Sequence, residues 1–173
     1  LLKVATELTP QLLKKPAYVA GHSLGEYPAL VAAGALQFDE AVRLLRTRGE
    51  LMQAAGDKNP GTMAAVLGLD IPDCEEVCRE AGAEICTVNA PGQIVIGGRR
   101  EAVVRALDYA KARGAARVIP MSVSGAFHSS LMRPAADGMV QPVATAAISD
   151  PIVPVIANCT ATPVTQEVQI RHE

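Results

Sequence analysis

The chain has 173 residues, 49% of them apolar and 20% charged, so it can bury a sizeable core as one domain or as one domain with an inserted subdomain. Its formal net charge of -2, with lysine and arginine dispersed along the chain, gives no electrostatic reason to expect nucleic acid as a partner. No signal peptide opens the sequence and no apolar run reaches the length of a bilayer span, so we expect no membrane partner and a cytoplasmic location.

The first predicted elements are a helix over residues 1 to 13, a short buried strand over 17 to 20 and a helix over 24 to 33. Because the sequence starts at Leu1 with a helical pattern already in progress, we expect it to be an incomplete piece of a longer domain. A long helix is predicted next, over residues 38 to 55. Its apolar stripe at helical spacing consists of Phe38, Ala41, Val42, Leu45, Gly49, Met52 and Ala55.

From Thr62 onward the predicted elements follow the order β-α-β-β-α-β. The strands are predicted over 62 to 67, 84 to 89, 93 to 97 and 116 to 121, and the helices over 72 to 81 and 99 to 112. This order predicts a ferredoxin-like subdomain over residues 61 to 121. A proline-interrupted helix over about 129 to 147, a strand over 152 to 157 and a polar, turn-rich tail from Asn158 complete the chain.

Short buried strands between helices favour an α/β fold whose sheet is parallel and covered by helices. We therefore expect a hydrolase-like parallel-sheet core formed by residues 1 to 60 and 122 to 173, with the ferredoxin-like subdomain inserted into it. The four cysteines, unevenly spaced and without a matching histidine pair, predict free or buried thiols in a reducing cytosol and no metal site; they are Cys74, Cys78, Cys86 and Cys159.

Residues 21 to 25 read Gly-His-Ser-Leu-Gly and join the predicted strand to the predicted helix. A serine between two glycines at such a turn is typical of a nucleophile elbow, and the missing side chains of Gly21 and Gly25 would permit the sharp bend that exposes Ser23. The helix start offers unpaired backbone N–H groups, so the N–H of Leu24 is a candidate for holding an oxyanion. The turn therefore predicts acyl transfer, with a plain glycine-rich loop as the structural alternative.

A serine hydroxyl is a poor nucleophile until a base takes its proton, and the chain offers three histidines for this task. His172 lies in the polar tail, where a solvent-exposed position is expected. His22 adjoins Ser23, but adjacent side chains leave the backbone in different directions. His128 follows a glycine-containing loop and precedes a helix, so it is the candidate base, with a structural histidine as the alternative.

Arg48 falls on the apolar stripe of the long helix, one turn after Leu45 and one turn before Met52. A buried guanidinium must be paired, because an isolated buried charge costs several kcal/mol. Its partner is either a core aspartate or glutamate, or a carboxylate of the substrate that the arginine holds bidentately.

Four segments together resemble the malonyl-CoA:acyl carrier protein transacylases and the related acyltransferase domains of polyketide and fatty acid synthases. They are Gly-His-Ser-Leu-Gly-Glu-Tyr (21 to 27), Arg-Thr-Arg-Gly-Glu-Leu-Met (46 to 52), Val-Asn-Ala-Pro-Gly-Gln-Ile-Val-Ile-Gly-Gly (88 to 98) and Gly-Ala-Phe-His-Ser-Ser-Leu-Met (125 to 132). The resemblance implies malonyl transfer from malonyl-CoA to the phosphopantetheine thiol of an acyl carrier protein, without a cofactor or metal. It implies Ser23 as the acylated nucleophile, His128 as its base and Arg48 as the ligand of the malonyl carboxylate.

Further substrate contacts are expected from Leu24, Met52, Asn89 and Phe127, which lie in the four segments. Phe127 is expected to crowd a branched α-methyl group and so to favour malonyl over methylmalonyl. The family's N-terminal Gly-Gln-Gly-x-Gln segment and its histidine-orienting C-terminal stretch have no counterpart here, so we expect residues 1 to 173 alone to transfer poorly. Pro28 stands where the family has serine or alanine.

Two other classes of function remain open from the sequence. An α/β-hydrolase, an esterase or thioesterase, would need an acidic residue between Ser23 and the histidine; that interval contains Asp39, Asp57, Asp70, Asp73 and Asp108. A non-enzymatic carrier-binding module is the second class, but it would not explain why an arginine, Arg48, lies on the apolar stripe. If an acidic carrier protein binds, Arg113 and Arg117 are candidates for its docking surface, with ordinary surface charge as the alternative.

Overall fold

A computed structural model describes residues 16–173, so the helix predicted over 1 to 13 lies outside the described residues. The described chain divides into two compact units, one formed by residues 16–47 and 140–173 and the other by Arg48–Met139. Within the described part, no helix combines the length and the apolar character needed to cross a membrane.

The strands, in chain order, are β1 (Val19–Ala20), β2 (Thr62–Leu67), β3 (Glu84–Ala90), β4 (Gln93–Gly98), β5 (Arg117–Pro120), β6 (Val155–Ile156) and β7 (Pro163–Val164). The α-helices are α1 (Glu26–Ala32), α2 (Phe38–Lys58), α3 (Ile71–Ala81), α4 (Arg100–Ala112), α5 (Arg133–Thr145) and α6 (Glu167–His172). Short 3₁₀ turns over Ser23–Gly25 and Ser130–Met132 precede α1 and α5.

The first unit contains a three-stranded sheet in the order β1-β6-β7. Strand β1 pairs with β6 in parallel, and β6 pairs with β7 antiparallel. Both β1 and β6 are shorter than the sequence predicts. Pro151 and Pro154 both precede β6, and because proline has no N–H to donate, they limit how far the strand extends toward its N-terminal end.

The polar tail is more regular than the sequence predicts, since it contains both β7 and α6. Two apolar side chains anchor it, Val164 and Ile170, and both are buried. A reciprocal capping box between Gln166 and Gln169 starts α6. The tail begins with a turn over residues 158 to 160, in agreement with the prediction, but β7 and α6 were missed because these two apolar residues are too few to produce a recognisable periodic pattern.

The second unit contains a four-stranded sheet in the order β3-β4-β2-β5, with every neighbouring pair antiparallel. The element order from β2 to β5 is β-α-β-β-α-β, and each boundary lies within a residue or so of its predicted place. The core of this unit is built from the strands β2 and β4 and the helices α3 and α4; its largest fully buried side chains include Val66, Val77, Ile94 and Ile96.

The apolar stripe predicted for α2 is wrong at its first turn. Phe38 is 72% exposed and Val42 is 49% exposed, whereas Ala41, Leu44 and Ala55 are buried. The buried face is therefore rotated toward Leu44, which precedes Arg48 by four residues on the same side of the helix. Arg48 is half-buried, in agreement with its predicted position on the inward face.

The helix predicted over 24 to 33 begins with the 3₁₀ turn and continues as α1. Pro28 lies inside the first turn of α1 without breaking it, because the N–H groups of a first turn have no intrahelical partner to lose. Gly34, with a φ of 71°, ends this segment in the left-handed conformation that favours glycine. All four cysteines are free, as the sequence predicts.

Candidate functional site

Residues with predicted chemical roles lie in both units. Ser23 and Leu24 belong to the first unit, and the other predicted site residues belong to the second; these are Arg48, Met52, Asn89, Phe127 and His128.

Ser23 occupies a strained backbone conformation at the strand-to-helix turn. Its φ of 53° is uncommon for a residue with a Cβ atom. Among residues 16–173, the other non-glycine residues with positive φ are His128 at 62° and Ala161 at 53°. Two of these three strained positions are thus the predicted nucleophile and the predicted base, and backbone strain of this kind clusters at functional sites.

The two glycines that flank the turn have different roles. A Cβ atom on Gly21 would lie 1.9 Å from the carbonyl oxygen of Gly25, so no side chain fits at Gly21. A Cβ atom on Gly25 would meet no described atom within 4 Å, and the φ of Gly25 is -63°, which any residue adopts. The steric requirement for glycine therefore belongs to Gly21, and extending it to Gly25 was wrong.

Asn158, which the sequence analysis did not single out, holds this turn through three hydrogen bonds. Its Oδ1 accepts the N–H of Ser23 at 2.7 Å, and its Nδ2 donates to the carbonyl oxygen of Gly21 at 2.7 Å. Its backbone N–H donates to Oε1 of Glu26 at 3.0 Å. Parallel pairing of β1 with β6 brings Asn158 to the turn, because both segments continue from the same ends of neighbouring parallel strands.

The backbone N–H of Ser23 donates to Asn158 and is therefore not available to an oxyanion. At this turn the N–H of Leu24 stays the predicted donor. The side chain of Leu24 is 55% exposed, so Leu24 is available to a ligand at the surface of the first unit.

A cavity of about 380 Å³ lies within the second unit and brings three predicted site residues together. Arg48, Met52 and His128 all line it. The other lining residues are Ser129, Ser130, Met132, Arg133, Ala135, Ala136 and Met139. A guanidinium, an imidazole and an apolar wall of methionine and alanine fit a small anionic ligand with an apolar portion.

The strained segment that carries His128 is held by hydrogen bonds of the two residues that follow it. The buried Ser129 donates its hydroxyl to the carbonyl oxygen of Ala126 at 2.6 Å and accepts the N–H of Leu131 at 3.3 Å. The Glu84 carboxylate accepts the backbone N–H of Ser130 at 2.8 Å and also the Ser130 hydroxyl. Glu84 was not predicted, because a contact between β3 and a distant loop has no signal in the local sequence.

Arg133 is a second guanidinium at the cavity, and it differs from Arg48 in its surroundings. The Arg133 side chain is 79% exposed, and its Nε donates to Oδ1 of Asp137 at 2.8 Å. Arg48 is half-buried beside Met52. A partly desolvated cation attracts a carboxylate more strongly than an exposed one, so Arg48 is the better anion ligand of the two.

The cavity does not include every predicted substrate contact. Phe127 packs against a cluster of Ala55, Met132 and Ala135 and is absent from the cavity lining. Asn89 is exposed on β3, within a register shift between Val88 and Ala90. Neither residue lines the cavity that contains Arg48.

Four of the five aspartates that could supply the acidic residue of an α/β-hydrolase have other partners. Asp39 pairs with Arg43, Asp57 accepts from Gln53, Asp70 caps α3 by accepting the N–H of Asp73, and Asp108 pairs with Lys111. All these contacts join residues on or next to the same helix. The structure thus adds no support for a hydrolase triad.

Arg113 has partners within its own unit. It donates to Glu76 and, at 2.9 Å, to Glu80. The pair with Glu76 holds the pKa of that carboxyl below its ordinary value, chiefly through the hydrogen bond from Arg113. Arg113 thus already has carboxylate partners, while Arg117 is exposed on β5, and the docking role of both stays a prediction.

A strained serine at a strand-to-helix turn, in an α/β fold, is typical of the class of enzymes that carry a nucleophilic serine at such a turn. The chain belongs to the acyl transferase domain family, whose model matches residues 11–171.

Named relatives agree with this assignment. The chain is 45% identical to the malonyl CoA-acyl carrier protein transacylase of Bacillus subtilis over 163 residues, covering 91% of this chain and 51% of that protein. It is 48% identical to the Escherichia coli K12 protein of the same name over 149 residues, covering 84% of this chain and 48% of the relative. The chain therefore spans about half the length of these relatives.

A solved structure gives the same result. One chain of the solved structure of a type II PKS acyl-carrier protein in complex with its malonyl-transacylase is similar to this chain, with a TM-score of 0.91 and 40% sequence identity. The match covers 98% of this chain and 55% of the chain in that structure.

Proposed function

We propose that the full-length protein transfers a malonyl group from malonyl-CoA to the phosphopantetheine thiol of an acyl carrier protein, in the cytoplasm and as a step of fatty acid biosynthesis. The observation that carries the proposal is the strained Ser23 in a glycine-bounded turn held by Asn158. The names of the relatives and the cavity beside Arg48 support the choice of malonyl.

Ser23 and His128 act in two half-reactions. The Ser23 oxygen attacks the thioester carbonyl, its proton passes to His128, and the carbon–sulfur bond breaks as coenzyme A leaves with that proton. The product is a malonyl ester on Ser23. The carrier's phosphopantetheine thiol then attacks the ester, His128 takes the thiol proton, and Ser23 regains it as the new thioester forms. No redox cofactor or metal enters this balance.

The remaining candidates hold the malonyl group. Arg48 pairs with its carboxylate, Met52 contributes an apolar contact, and the N–H of Leu24 stabilises the oxyanion of the tetrahedral intermediate. Asn89 and Phe127 are retained as contacts of the carrier arm or the acyl chain. Phe127 is the weaker of the two, because it packs against Ala55 and Met132.

We also infer that residues 61 to 121 form an inserted ferredoxin-like subdomain. The sheet order β3-β4-β2-β5 and its antiparallel pairing support this inference. Residues 1 to 60 and 122 to 173 would then belong to the hydrolase-like core. The parallel β1–β6 pair supports that part of the proposal.

Intact-mass measurement tests the reaction. Full-length protein mixed with malonyl-CoA should gain one malonyl adduct, lose it when carrier protein is added, and gain none as Ser23→Ala. Ser149→Ala, which removes an exposed serine of the same unit, is the matched control and should be acylated normally. His128→Ala should slow acylation by roughly 100-fold to 10,000-fold, the range for a lost general base.

Two outcomes would replace the proposal. An adduct that persists in Ser23→Ala would assign the nucleophile elsewhere. An adduct that hydrolyses to free malonate and never reaches the carrier would favour the esterase alternative. Whether the protein serves fatty acid or polyketide synthesis is tested with a carrier protein from each system.

A further inference from the structure

Asn158 contacts the Ser23 turn on both sides and at its centre. Its amide bonds to Gly21 before the serine and to Ser23 itself, and its backbone N–H bonds to Glu26 after it. Asn158 is 135 residues away from Ser23 in the chain, so these are tertiary contacts and not part of the turn's own hydrogen bonding.

A primary amide suits this position because it is both a donor and an acceptor in one rigid plane. The Ser23 N–H needs an acceptor and the Gly21 carbonyl needs a donor, and the two groups stand on either side of His22. A carboxylate would satisfy Ser23 but would turn an acceptor toward the Gly21 oxygen. An alanine would satisfy neither group.

The strain at Ser23 gives these bonds a role beyond stability. A residue with a φ of 53° returns to an ordinary conformation unless its surroundings hold it. Fixing the backbone of Ser23 fixes the origin of its side chain, and a displacement of about 1 Å at a reacting atom can cost about 100-fold in rate.

We propose that Asn158 is a positioning residue, which holds the backbone of Ser23 in the conformation that acyl transfer requires. In this role Asn158 acts through its bonds to Gly21 and Ser23. This inference rests on the proposed function, since it assumes that Ser23 is the nucleophile.

Two variants of the full-length protein test it, with single-turnover acylation of Ser23 by malonyl-CoA as the readout. Asn158→Ala should lower the rate by about 10-fold to 100-fold. Asn158→Asp should be similarly slow at neutral pH. Protonation restores a donor for the Gly21 oxygen, so its rate relative to wild type should recover as the pH falls toward the aspartate pKa, ordinarily about 3.9.

Thr160→Ala is the matched control, because Thr160 follows Asn158 closely and its hydroxyl bonds to Thr162 and Glu173, away from the turn. Glu26 and Glu173 hydrogen-bond to residues 158 to 160, and Cys159 and His22 adjoin Asn158 and Ser23 in the chain. All four groups are present in every variant, so their own effect on the rate is removed when each rate is divided by the wild-type rate at the same pH.

Wild-type rates in both variants would overturn the proposal, and so would an Asn158→Asp variant whose relative rate is the same at every pH. If Asn158→Ala does not fold, as judged by circular dichroism, the pH profile of Asn158→Asp decides. If wild type takes no malonyl group, the proposed function fails; labelling of Ser23 by an alkyl fluorophosphonate then replaces malonyl-CoA as the readout and must rank the variants in the same order.

Discussion

Glu84 accepts both polar hydrogens of Ser130, the second residue after His128. The carboxylate also lies at the start of the 3₁₀ turn Ser130–Met132, where it satisfies a backbone N–H that has no helical partner. Strand β3 thereby restrains the strained loop that carries the predicted base. Glu84 and Ser130 belong to the same unit, so this restraint is built into the fold of that unit.

Glu84→Ala is therefore expected to slow Ser23 acylation by roughly 10-fold, because His128 loses part of its support. Glu84→Gln keeps one acceptor oxygen and should recover most of the rate. Acylation rates and melting temperatures are measured side by side, with Glu75→Ala, an exposed glutamate of α3, as the control. An Ala variant with a lower melting temperature but an unchanged rate would mean that Glu84 only caps the turn.

The two glycines of the Ser23 turn should respond differently to the same substitution. Gly21→Ala places a Cβ atom 1.9 Å from the Gly25 oxygen, so the turn must open. We expect a loss of about 1 to 3 kcal/mol in the free energy of unfolding, or more, as for other overpacked sites. Gly25→Ala should be neutral or slightly stabilising, since its φ of -63° suits alanine. Urea denaturation of both variants provides the comparison, and equal losses would contradict this account.

The β-α-β-β-α-β order over residues 62 to 120 was predictable because its signals are local. Asp70 caps α3 and Gly82 ends it with a φ of 74°, and both residue types are visible in the sequence. The Ser23 turn was predictable for the same reason. Its glycine at position 21 is required by contacts within five residues.

The supports of the candidate site were not predictable, because they depend on tertiary contacts. Asn158 reaches the Ser23 turn only through the β1–β6 pairing, and Glu84 reaches Ser130 across 46 residues. Phe38 and Val42 show the same limit in α2. Helical spacing predicts that apolar residues share a face, but it does not say which side of that face is covered.

The Arg113–Glu76 pair predicts a dependence of stability on pH. Hydrogen bonding to Arg113 keeps the pKa of the Glu76 carboxyl below its ordinary value of 4.5. A group whose pKa is lowered by folding adds stability above its unfolded pKa and loses that contribution as the pH falls through the folded pKa. Wild type should therefore be more stable than Glu76→Gln at neutral pH, and the difference should shrink below about pH 4.5.

Urea denaturation across this pH range, with Glu75→Gln on the same helix as the control, checks the prediction. The pair is partly solvent-exposed, so high salt should reduce the difference as well. A difference that is constant with pH would mean that Glu76 does not titrate differently in the folded and unfolded states.

Arg48 is expected to set the preference for malonyl over acetyl. A malonyl thioester carries a carboxylate that acetyl lacks, and a half-buried guanidinium pairs with it in a cavity whose wall includes Met52. Removing one partner of such a charge pair costs about 2 to 5 kcal/mol, or about 30-fold to several thousand-fold in relative rate. Arg48→Ala should lose malonyl transfer and keep, or gain, acetyl transfer. Single-turnover acylation with each thioester measures the ratio.

Arg133→Ala is the matched control, because Arg133 lines the same cavity but is exposed and bonded to Asp137. Screening by water should limit its effect on the malonyl-to-acetyl ratio to a few-fold. Two results would contradict the role given to Arg48. A variant that loses both activities equally, with a lower melting temperature, would make Arg48 a structural ion-pair residue. A ratio that changes in Arg133→Ala and not in Arg48→Ala would make Arg133 the carboxylate ligand of the cavity.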